Sequence, residues 1–116
     1  MTVNEKIIEA LKEFGMPIAL NHYSGKENRY IEFDLYDDSG ALFCDDAPEF
    51  DIIYVQVHVF LPAEEPYLKL KKDIRQALME AGFCYADITE SVDSNPANGY
   101  PKGIRQINFE TEIDED

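Results

Sequence analysis

The chain has 116 residues, 24 Asp and Glu against 10 Lys and Arg, and a formal net charge of -14. That length fits one domain, and 45% apolar residues with seven Phe and seven Tyr suffice for one packed core, which argues against global disorder. No apolar run approaches the roughly 18–20 residues needed to span a bilayer, so no membrane association is expected.

Residues 3–14 are expected to form a helix. Val3, Ile7, Ala10, Leu11 and Phe14 recur at helical spacing, while Glu5, Lys6, Glu9, Lys12 and Glu13 take the other face. Thr2 or Asn4 serves as the cap. Gly15 and Pro17 stop the helix, the glycine by accepting a left-handed conformation and the proline by being unable to continue it.

Residues 18–23 are expected to be extended, and residues 24–28 form a polar turn. Residues 30–36 alternate, with Ile31, Phe33 and Leu35 opposite Glu32 and Asp34, as in a half-buried strand. Asp37, Asp38, Ser39 and Gly40 have turn chemistry. A short strand at 41–44 would then close a hairpin over residues 30–44.

Residues 50–61 carry the strongest strand pattern. Ile53, Val55, Val57 and Val59 share one face; Ile52, Tyr54, Gln56, His58 and Phe60 share the other. The second face is still fairly apolar. It is either covered by this chain, as in a central strand, or covered by another subunit.

Pro66 is expected at the first position of a second helix over 67–81, with Glu64 and Glu65 near its positive end. Leu70, Ile74, Ala77, Leu78 and Ala81 form its apolar stripe. Residues 84–92 read as a strand, residues 93–101 as a long loop, and residues 103–113 as a last strand with a frayed tail at 114–116. The expected fold is therefore α+β. It is a single domain with a mainly antiparallel sheet of about five to six strands and two packed amphipathic helices, in the order α-β-β-β-β-α-β-β.

Chemistry is sparse. His22 and His58 are the only histidines, and His58 lies inside a strand pattern. No GxSxG, HExxH, P-loop or GxGxxG motif occurs. The two cysteines, Cys44 and Cys84, form no CxxC and read as buried or half-buried small residues. Neither catalysis nor a cofactor is expected. The acidic pairs Asp37–Asp38 and Asp45–Asp46 would need to converge to hold a hard cation, and solvated turns are the simpler reading.

Charge is the informative feature. No Lys or Arg lies between Arg29 and Lys69, and that stretch includes Asp37, Asp38, Asp45, Asp46, Glu49 and Asp51. Lys69, Lys71, Lys72 and Arg75 gather on the second helix. Such a surface repels phosphate, so specific nucleic-acid binding is not expected. Unlike patches suit head-to-tail contact between copies, with the basic cluster and the second face of the strong strand (Tyr54, Gln56, His58) as candidate subunit interface. On that reading, reversing Lys71, Lys72 and Arg75 impairs assembly without lowering monomer stability. The loop at 93–101 would order on contact with a neighbour.

Several segments together resemble a known family. These are the helix ending in Phe14-Gly15-Met16-Pro17, the "YIEF" of residues 30–33, Gly40-Ala41-Leu42-Phe43-Cys44-Asp45-Asp46, the strand through Tyr54 and Phe60, and the helix running into Gly82-Phe83 before Ile104-Arg105-Gln106-Ile107-Asn108-Phe109. Their order resembles small tail-terminator or tail-completion (head–tail joining) proteins of long-tailed phages and prophages. The resemblance implies an α+β subunit made in the host cytoplasm and built into the virion. It also implies a six-membered ring that caps the tail tube and meets the head connector, without catalytic residues. The acidic stretch or the C-terminal acids would then line a lumen that does not grip DNA. The competing reading is a small acidic inhibitor or DNA mimic that binds a basic host protein, and a third is a generic binding module.

Overall fold

The computed structural model describes residues 1–37, 51–94 and 102–115. In chain order it contains α1 (Val3–Leu11), a 3₁₀ turn (Lys12–Phe14), β1 (Ile18–Leu20), β2 (Tyr30–Asp37), β3 (Asp51–Pro62), α2 (Leu68–Glu80), β4 (Asp87–Asp93) and β5 (Ile104–Glu115). The five strands form one sheet in the order β1-β2-β3-β5-β4.

α1 begins with a capping box. The Thr2 hydroxyl accepts the Glu5 N–H at 3.1 Å, and the Glu5 carboxylate accepts the Thr2 N–H at 3.2 Å. The bond from the Thr2 N–H, followed by the Thr2 hydroxyl, holds the Glu5 carboxyl below its ordinary pKa. The helix tightens into the 3₁₀ turn and ends at Gly15, whose φ of 72° is the left-handed region. α2 starts later than its sequence suggests. Tyr67 is the N-cap, without a side-chain capping bond, so Pro66 lies outside the helix rather than at its first position. Its end is closed by Gly82 at φ 104° and by a hydrogen bond from the Phe83 N–H to Leu78 O.

β3 and β5 pair antiparallel over their whole twelve-residue length, from Asp51↔Glu115 to Pro62↔Ile104. The strand therefore continues through residues 114 and 115, which the sequence reading assigned to a frayed tail. β2 joins the other side of β3, with Tyr30↔Phe60 at one end and Asp37↔Ile53 at the other. The β2 partner is thus β3; the expected strand at 41–44 and the hairpin it would complete lie outside the described residues. β4 is an edge strand beginning at Asp87 rather than at residue 84. Before it, Cys84 hangs on β5 through its N–H to Glu112 O at 2.9 Å, and its carbonyl accepts the Thr111 hydroxyl at 2.5 Å. Cys84 is exposed, not buried as its residue type suggests.

The sheet is mixed. β1 runs parallel to β2, in register Ile18↔Ile31 to Leu20↔Phe33. The other three pairings are antiparallel, in line with the expected mainly antiparallel sheet. Asn21, at φ 68°, turns the chain out of β1. Residues 22–29 then return it to the start of β2.

Both helices cover the same face. Val3, Ile7 and Leu11 of α1 and Ile74, Ala77 and Leu78 of α2 are buried against Ile31, Phe33, Val55, Val57, Val59, Ile107 and Phe109. Met16, Phe83 and Ala86 close the ends of this layer. Among the described residues, no helix lies on the opposite face. Truncating the two faces should therefore have unequal costs. In urea denaturation, Phe109→Ala is expected to lose about 3–5 kcal/mol, and Tyr36→Ala on the uncovered face no more than about 1 kcal/mol.

Candidate functional site

The register dictates what the uncovered face presents. β2 contributes Tyr30, Glu32, Asp34 and Tyr36, and β3 contributes Ile52, Tyr54, Gln56, His58 and Phe60. β5 adds Gln106, Asn108, Glu110, Glu112 and Asp114, and β4 adds Asp87, Thr89, Ser91 and Asp93. The sequence reading left two explanations for the second face of β3. The strand is central, yet this face is half-buried to exposed, with Tyr54 40% accessible, because among the described residues only the other face carries helices.

One end of the face is covered by its own chain. Tyr23 stacks on Tyr30 with centroids 4.6 Å apart, and Tyr30 stacks on Phe60 at 4.7 Å. The Tyr23 N–H donates to the Glu32 carboxylate at 2.7 Å, which fastens residues 22–29 over that end.

A polar band crosses the middle. His58 Nδ1 is 2.6 Å from Asn108 Oδ1, and His58 Nε2 is 3.4 Å from Asp34 Oδ2. Asn108 is held from its other side, accepting from Gln106 Nε2 at 2.8 Å and donating to Thr89 Oγ1 at 3.3 Å. His58 thus bridges β2 and β5 across β3. Tyr54, Gln56 and His58 do share one surface, as the alternation of β3 implies.

The basic cluster is placed differently. Lys71 Nζ pairs with Glu90 of β4 at 2.6 Å and lies 5.5 Å over the Tyr67 ring. The Arg105 guanidinium reaches the same carboxylate at 3.5 Å and lies 3.9 Å over the same ring. Arg75 donates twice to Ala86 O, at 3.0 and 2.6 Å, and stacks 4.0 Å over Tyr85. Lys69 pairs with Asp73 one turn on, at 2.7 Å, which raises the Lys69 pKa. Lys72 is exposed. Lys71 and Arg75 therefore tie α2 to β4 and to the segment before it. Reversing them removes contacts of the fold itself, so assembly and stability cannot be separated at those two positions.

Of the candidate acidic residues, Asp37 and Asp51 close the strand ends, in register with Ile53 and Glu115. Asp38, Asp45, Asp46 and Glu49 lie outside the described residues, as does most of the 93–101 loop. The acids that the structure gathers on one surface are Asp34, Glu110, Glu112 and Asp87, around Tyr36 and Tyr54. The alternation of β5 places Glu110 and Glu112 on one side. Only the pairing of β5 with β3 puts them beside Tyr54 and Gln56. Among the described residues, no three His, Cys, Asp or Glu side chains converge as metal ligands, and no helix is long and apolar enough to cross a membrane.

No family model matches the chain, and no curated protein matches it. Among solved structures, the fold is similar to a chain in the virion of a native gene transfer agent particle. The TM-score is 0.54, with 11% identity over 97% of this chain and 92% of that one. A second solved chain, whose name carries no functional term, matches with TM-score 0.54 and 9% identity over the same shares. These likenesses define a fold class, an α+β sandwich of one mixed sheet and one helical layer.

Glu90 offers a pH test of the α2–β4 tie. Its carboxyl is held below the ordinary range, chiefly by the Lys71 hydrogen bond, then by Tyr67 and by the charges of Lys71 and Arg105, against the opposing effect of burial. A lowered folded-state pKa gives stability that is present above the unfolded value and lost as pH falls through the folded one. Glu90→Gln should cost about 0.5–1 kcal/mol near neutral pH. That difference from the parent should shrink in thermal melts as pH falls below the ordinary carboxylate range and disappear once the lowered folded-state pKa is passed.

Proposed function

We propose that this protein is a structural virion-assembly protein of a tailed phage or related particle. It acts at the tail end or head–tail junction as a ring of identical subunits, and has no catalytic role. The observation that carries this reading is the fold likeness, over 97% of the chain, to a component of a gene transfer agent virion. The element order that resembles tail-terminator proteins points the same way. Its partners are further copies of itself, the tail-tube protein and the head connector.

The chemistry of the surface suits this role. A ring needs two unlike surfaces that meet head to tail and close. The helical layer and the open sheet face differ in shape and in charge. Carboxylates on the open face would disfavour contact with phosphate, which suits a component standing beside DNA in transit.

Location is the test. Particles purified from the source strain and labelled with a gold-tagged antibody should carry gold at the head–tail junction. Cross-linking on the particle should give a ladder ending at the hexamer. If infected or induced cells hold the protein while particles carry none, the virion reading fails. An acidic inhibitor of a basic host protein would then be the reading to pursue.

A further inference from the structure

The cations of the chain divide into two groups. Lys12, Arg29, Lys69, Lys71, Lys102 and Arg105 each pair with a carboxylate. Among the described residues, Lys6, Lys26, Lys72 and Arg75 do not. Lys6 and Lys26 stand singly, on α1 and between β1 and β2. Lys72 and Arg75 are neighbours one turn apart on α2, and Lys72 is exposed. Arg75 donates its hydrogens to Ala86 O and Tyr85, so no carboxylate pairs with its charge.

These two cations lie in an outward stripe of α2. Leu68, Lys72, Arg75 and Met79 recur at i, i+4, i+7 and i+11, on the side of the helix turned away from its buried residues Ile74, Ala77 and Leu78. Leu68 is 60% and Met79 40% exposed, and Tyr85, stacked on Arg75, is 64% exposed. The stripe sets two uncompensated charges among three exposed apolar side chains. Burial of those side chains would exclude water from a contact made there.

The chain also carries a matching pair of uncompensated carboxylates. Asp87 of β4 and Glu110 of β5 are direct cross-strand partners on the sheet face opposite the helices. Both are exposed, and neither has a hydrogen bond or ion pair among the described residues. Like charges directly opposite each other are destabilising, and a cation from outside relieves the repulsion. Two patches of unlike charge therefore stand on the two sides of the layered subunit.

We propose that the outer stripe of α2 docks on the Asp87–Glu110 pair of a second copy, with Lys72 and Arg75 facing the two carboxylates. Patches on opposite sides of a subunit cannot both meet one partner across a two-fold axis. The contact is therefore head to tail and joins copies in series. The choice of a second copy as occupant rests on the ring of identical subunits proposed above. Lys72 is the position at which assembly separates from stability, because it makes no hydrogen bond or ion pair among the described residues.

The test is a dilution series of the isotopically labelled full chain, followed by amide NMR from about 1 mM downward. Salt at about 0.15 M screens the overall negative charge beyond about 8 Å. Concentration-dependent shifts are expected at Leu68, Lys72 and Met79 and, together with them, at Asp87 and Glu110. Lys72→Glu and Glu110→Lys should each weaken self-association at least about tenfold. Lys6→Glu and Glu13→Lys change the net charge equally and should leave it unchanged. An equimolar mixture of Lys72→Glu and Glu110→Lys should associate as the parent does, since each acquired charge then faces its opposite. The same spectra report whether each variant is folded. Four results would overturn the proposal: no concentration dependence, shifts confined to one of the two patches, unchanged association in both folded variants, or a mixture that fails to associate. Gold-labelled particles keep the two readings apart. Gold at the head–tail junction with unaltered association in both variants rejects this contact and leaves the virion role standing. Association lost in each variant and restored by mixing, with particles free of gold, upholds the contact and rejects the virion role.

Discussion

The antiparallel ladder between β3 and β5 is the constraint on which the remaining structure depends. It spans twelve residues on each strand. Side chains alternate with period two, so this one register decides the face of every residue along both strands. It sends Val55, Val57, Val59, Ile107 and Phe109 to one side, where α1 and α2 bury them. It sends Tyr54, Gln56, His58, Asn108, Glu110 and Glu112 to the other. A slip of one residue would expose the core and bury carboxylates without partners, at a cost of several kcal/mol for each unpaired charge.

Both helices cover one face, and among the described residues the other is covered only at one end, by residues 22–29. A central strand without a second layer must be stabilised by cross-strand pairs, and those pairs are visible. Tyr30 and Phe60 stack, and His58 bridges Asp34 and Asn108. The helical layer is locked from its rim instead. Glu90 collects Lys71 from α2 and Arg105 from β5 over the ring of Tyr67, so α2, β4 and β5 meet at one carboxylate. The acidic balance of the chain is consequently uneven. Lys71 and Arg105 are engaged on the helical side, while carboxylates and no Lys or Arg occupy the register positions of the other face.

Local patterns were readable in the sequence. A cap at Thr2 or Asn4, the Gly15 and Gly82 stops, and the alternation of β2, β3 and β5 all act within a few residues; the structure chooses Thr2 as the cap and realises the others. What depends on distant partners was not readable. Lys71 and Glu90 are nineteen residues apart, and Arg75 and Ala86 eleven, so two of the four basic residues of the cluster brace the fold, while Lys69 pairs within its own helix and Lys72 is exposed. The parallel pairing of β1 depends on where residues 22–29 return the chain. α2 starts at Leu68 with Tyr67 as its N-cap, after a turn in which the Glu65 N–H donates to Pro62 O, so Pro66 belongs to the connection rather than to the helix. The acidic and aromatic patch escaped for the same reason. Its members come from β2, β3, β5 and β4, and only strand order joins them.

The most direct measurement is hydroxyl-radical footprinting of the free protein across a wide range of concentrations. If the sheet is one-sided, Tyr36 and Tyr54 oxidise rapidly at every concentration, while Phe33 and Phe109 beneath the helices are protected. Protection of Tyr36 and Tyr54 that persists at the lowest concentration would mean that the chain covers this face itself, and would contradict the open sheet on which the functional reading is built.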